Sequence, residues 1–127
     1  MKVTLEHHES ESIFHNALCN GHGLAYCGLE ITCNQEQYKN AKESLQERGE
    51  SICLEDVWME ILRRNGTLTL VDNESGQDDA TIKLSDVHLN VQKTDIRHLM
   101  DAINETDDAV TAEVILQTVF YGEVIFG

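Results

Sequence analysis

The chain has 127 residues, a single-domain length, and its 41% hydrophobic content supplies a core, which excludes a disordered tail or linker. Its 23 acidic and 9 basic residues give a formal net charge of −14, which repels phosphate backbones and anionic lipid surfaces and excludes direct nucleic-acid and membrane binding from the favoured readings.

In chain order, Lys2 to His8 alternates, with Val3, Leu5 and His7 on one side, and predicts a first strand. Ser10 offers an N-cap to a helix carrying Ile13, Phe14, Ala17 and Leu18, which Asn20-Gly21 ends. Leu24 to Cys33 alternates again and predicts a second strand, with Gly28 marking a bulge or a close backbone approach. Asn34-Gln35-Glu36-Gln37 resembles a capping box and opens a thinly amphipathic helix to about Arg48, stopped by Gly49. Leu54, Val57, Trp58, Ile61 and Leu62 then form a full helical stripe, with Trp58 expected to anchor the core. Thr67 to Val71 and Ala80 to Leu84 read as a β-hairpin around the acidic loop 72–79. Ser85, Thr94 and either Thr106 or Asp107 are the expected caps of three further helices, the last with the face Ala112, Ile115, Leu116, Val119 and Phe120 and closed by Gly122.

This order predicts one compact α+β domain over residues 1–127: a small sheet of about four short strands, including one hairpin, covered by five to six helices. Charge occupies the positions after Met1 where an apolar signal core would run, and no segment approaches the roughly 18 apolar residues that span a bilayer. Four cysteines in such a chain read as reduced thiols, so the expected location is cytoplasmic.

The N-terminal segment holds soft ligands. His15 and Cys19 lie one helical turn apart and His22 follows the helix, which makes these three the candidate metal set. Cys27 and Cys33 stand six residues apart on one predicted strand, roughly 20 Å when straight, too far to share a metal or a disulfide. The favoured expectation is therefore buried free cysteines, with no metal and no cofactor. A Cys19 nucleophile beside His15 would need an oxyanion hole, and nothing local supplies one. Placed on a calcium-loop template, the 72–79 segment lacks both the central glycine and the closing glutamate. No phosphate loop, serine elbow or dinucleotide fingerprint is present.

Three readings of function follow, and the balance leans away from an enzyme. The first is a non-enzymatic interaction module, an accessory subunit or inhibitor that binds another protein with a basic surface, or itself. The apolar tail Val124, Ile125 and Phe126 is its candidate interface. The second is a DNA mimic that inhibits a DNA-handling protein, with Glu36, Glu43, Glu47 and Glu60 arrayed on helices. The third is a metal-binding regulator or metal-dependent enzyme built on His15, Cys19 and His22.

Overall fold

Helix takes over the chain within its first few described residues. The computed structural model describes residues 4–105 and 108–126, apart from the side chain of His22. Residues 4–6 carry no strand pairing and α1 runs His7–Asn20, so the described part of the expected first strand is a helix entry. The N-cap is Glu6, whose N–H donates to Glu9 Oε1 at 3.0 Å, and Ser10 lies buried inside α1 instead of capping it. The helical stripe of Ile13, Phe14, Ala17 and Leu18 extends back through Ser10, which outweighs two alternating residues at 5 and 7.

A 3-10 turn at His22–Cys27 follows, then the left-handed Gly28 at φ +76°, and β1 is only Leu29–Cys33. Gly28 thus ends a turn and is no bulge in a long strand: its positive φ cannot continue extended backbone. A Cβ at Gly28 would also meet the Glu74 side chain, with Cγ at 2.5 Å and Cβ at 2.9 Å. Gly28→Val is expected to cost about 1–2 kcal/mol from the left-handed conformation, and somewhat more from the clash, as read by urea unfolding.

Helix α2 (Gln35–Glu47) starts as predicted, with Asn34 Oδ1 accepting from Gln37 N–H at 3.0 Å, and Gly49 turns the chain out at φ +70°. Helix α3 (Leu54–Arg63) packs on α2, and its buried residues are Val57, Met59, Glu60, Ile61 and Leu62. Leu54 is 46% exposed and Trp58 half-buried, so the tryptophan flanks the core instead of anchoring it. The helix is rotated toward α2 because Arg48, at the end of α2, holds the Glu60 carboxylate through two hydrogen bonds of 3.1 and 3.0 Å. Ser44 adds a third bond to it at 3.3 Å.

Strands β2 (Leu68–Asp72) and β3 (Ala80–Ile82) form the expected hairpin, tied by a Thr69–Thr81 hydroxyl contact of 2.9 Å. The sheet is antiparallel in the order β1-β2-β3, with Leu29 opposite Asp72 and Cys33 opposite Leu68. It has three strands among the described residues, not four.

Helix α4 (Leu84–Asn90) begins one residue before its expected cap, because Asp86 Oδ2 accepts the Lys83 N–H at 3.0 Å. Helix α5 (Ile96–Ile103) is capped by Asp95, next to the buried Thr94. Helix α6 (Ala109–Tyr121) is capped by Asp108, which accepts from Thr111 N–H at 2.9 Å; the caps expected at 106 and 107 lie outside the described residues. Gly122 closes α6 at φ +82° as predicted. The fold is therefore α+β, with six α-helices around a small antiparallel sheet among the described residues. Helix α6 lies centrally, packed against α1, α4, α5 and β3. No helix of the described chain is long and apolar enough to cross a membrane.

Candidate protein-docking groove

Two surface depressions bring chemistry-bearing side chains together, and they differ in kind. The first is a polar cleft of about 290 Å³ between α1 and α3, holding His15, Asp56, Glu11 and Arg63. His15 Nε2 lies 2.8 Å from Asp56 Oδ1, and Glu11 Oε1 accepts from Arg63 Nε at 3.2 Å. The other Glu11 oxygen lies 3.2 Å from His88 Nε2, and the His88 ring stacks on His7 at 3.8 Å. Burial pushes the Glu11 carboxyl up, but the His88 and Arg63 hydrogen bonds outweigh it and hold the group below its ordinary value.

This cleft is a clamp between helices. Ser12, His15 and Asp56 all line it, and its walls are the sides of α1 and α3, with His8 and Asp56 in the first turns of those helices. The candidate metal set of His15, Cys19 and His22 is described only in part. His15 is turned to Asp56, the His22 side chain lies outside the described residues, and no three metal-ligating groups converge among the described residues. Burial, together with the Glu55 and Asp56 carboxylates, pushes the Cys19 thiol up, the reverse of what a nucleophile or thiolate ligand needs. In the acidic hairpin loop, Asp72 accepts hydrogen bonds from the backbone N–H groups of Glu74, Ser75 and Gln77 and so spends its oxygens on the turn.

The second depression runs along β1. Two adjoining clefts, of about 400 and 320 Å³, share Glu30, Ile31, Leu54 and Trp58. Helix α3 supplies Leu54 and Trp58, one turn apart, as one wall, and α2 adds Tyr38. Burial pushes the Cys33 thiol up, partly offset by the neighbouring Trp58 side chain, and both residues line the groove. Tyr26, in the turn leading into β1, is 91% exposed. The apolar character of this face was disguised in the sequence because Leu54 and Trp58 read as core positions of the strongest helical stripe.

Comparison of the chain with family models, curated proteins and solved structures gives no match.

The tail expected to form an interface is described to Phe126. Buried Gln117 of α6 holds it: Nε2 donates to the Phe126 carbonyl at 3.0 Å, and Oε1 accepts the N–H groups of Ile125 and Phe126 at 2.9 and 2.8 Å. Phe126 packs against the core, while Val124 and Ile125 remain 45% and 37% exposed. Gln117→Leu leaves those backbone groups without their partner. It is expected to lose about 1–3 kcal/mol and to make residues 123–126 the first site cut in limited proteolysis, followed by mass spectrometry.

Of the glutamates expected to imitate a phosphate array, Glu60 is buried against Arg48. Glu36, Glu43 and Glu47 are exposed on α2, with Lys39 one turn from both Glu36 and Glu43. A cation set between acids breaks the run of like charge that mimicry requires.

Proposed function

We propose that this chain acts by binding another protein and that its docking face is the groove between β1 and α3. One observation carries the reading: β1 has no strand partner on its outer side among the described residues, and it stands beside partly exposed apolar side chains from α3 and α2. Exposed contiguous apolar surface next to polar groups marks interaction sites. The polar cleft, by contrast, pairs His15 with Asp56 and Glu11 with Arg63 across its own walls. With a net charge of −14, the partner surface is basic, and a second copy of the chain is disfavoured. The tail residues Val124 and Ile125 offer a smaller secondary contact. The four cysteines are free, which fits work in a reducing compartment such as the cytoplasm.

Site-specific photocrosslinking tests the face. A photoreactive residue at Leu54 is expected to give a discrete adduct with one protein in cells, and the same group at Lys93 is not. Equal adduct patterns from both positions, or none from Leu54, would reject the groove as the docking face.

A further inference from the structure

Resting on that docking face, we propose that the partner contributes an extended basic segment, which adds to β1 as a fourth strand of the sheet. The register determines what β1 offers. Gly28 accepts the Asn73 N–H at 2.9 Å, and Gly28 and Asn73 stand one step beyond the Leu29–Asp72 pair. Antiparallel ladders alternate bonded and non-bonded pairs, so Glu30 and Thr32 bond to β2 while the N–H and C=O groups of Leu29, Ile31 and Cys33 point away from it. Those groups face the outer edge.

The groove lies on that edge and not on one face of the sheet. Glu30 and Ile31 send their side chains to opposite faces, and both line it. Sheet edges are usually blunted by lysine, proline or a bulge. Here β1 has a regular register and no lysine, and the chain contains no proline. The groove carries Glu30 and Glu55, and no lysine or arginine is among the described residues lining it. A strand that alternates apolar and basic side chains satisfies both features. Its apolar residues pack on Ile31, Leu54 and Trp58, and its cations meet the two glutamates. A second copy pairing β1 with β1 would bring two chains of −14 together and set Glu30 close to its own counterpart.

The probe is a short blocked peptide alternating lysine and valine, titrated into the intact protein. Trp58, the sole tryptophan, reports binding by fluorescence, and amide hydrogen exchange reports the edge. The expected result is slowed exchange at Leu29, Ile31 and Cys33. Affinity should fall about tenfold when alternate peptide amides are N-methylated, and about tenfold for Glu30→Lys combined with Glu55→Lys, whose fold is verified by circular dichroism. Unchanged exchange at these three amides, equal binding by the N-methylated peptide, or a β1-paired dimer in sedimentation would overturn strand addition. A Leu54 crosslink without protection of the edge amides rejects strand addition and keeps the docking face. Absence of both rejects the two together.

Discussion

Phe14→Ala is expected to remove about 3–5 kcal/mol of folding stability and to lower the Tm by roughly 10–20 °C. Phe14 is fully buried on α1, and its ring lies 6.2 Å from that of Phe120 on α6, tilted at 49°. The pair therefore joins the N-terminal helix to the central one, and truncation leaves a cavity where two helices meet. A loss of that size is a large share of the 5–15 kcal/mol that holds a typical domain together. Leu54→Ala, on the groove wall at 46% exposure, is the matched control and should stay within about 1 kcal/mol. Equilibrium urea unfolding of both variants checks the contrast. Similar losses at the two positions would mean that Leu54 belongs to the core.

The second large effect lies at the Arg48–Glu60 pair and appears as acid sensitivity. The hydrogen bonds from Arg48 hold the Glu60 carboxyl below its ordinary range, and they outweigh the burial that pushes it up. Since the folded protein binds this proton less readily than the unfolded chain, the pair contributes fully above the ordinary glutamate value of about 4.3. The contribution is then lost as pH falls through the lower folded value. Glu60→Gln should lose about 1–2 kcal/mol at neutral pH and show a flatter decline of stability below pH of about 4. Arg48→Ala should be worse than Glu60→Gln, because it leaves a buried carboxylate with Ser44 as its remaining hydrogen-bond donor among the described residues. Urea midpoints measured across the acid range for the three proteins would test this. An unchanged acid slope in Glu60→Gln would show that the pair is not the sensitive group.

Local chemistry made much of this fold legible in the sequence. Asn34, Gly49 and Gly122 bound helices where side-chain capping and left-handed backbone require them, and the hairpin follows from two alternating runs around polar residues. The failures occurred where one residue reversed the meaning of a pattern. Gly28 turned an apparent ten-residue strand into a 3-10 turn and a short edge, since alternation at 25 and 27 says nothing about φ at 28. Glu60, read as an outward carboxylate by its helical position, is buried because a partner twelve residues earlier neutralises it. A charge pair across two helices leaves no periodic trace. The same applies to the candidate site. The apolar residues of the groove are visible in the sequence, but their exposure depends on which side of α3 meets α2. The tail is apolar in the sequence, and the Gln117 side chain that holds it carries no sequence signature.

The placement of α2 and α3 between β1 and β2 bears on the order of assembly. Joining Cys33 to Leu68 closes a loop of about 35 residues, an entropic penalty borne before any ladder bond repays it. The two helices inside that loop pack on each other and are cross-linked by Arg48 and Glu60, so their pairing shortens the effective span before the strands meet. The helical hairpin acts as a spacer that delivers one strand to the other. A nick in the turn at 49–53 would cut the chain inside this spacer and turn a local search into an encounter between two separate fragments, each carrying one strand of the β1–β2 pair.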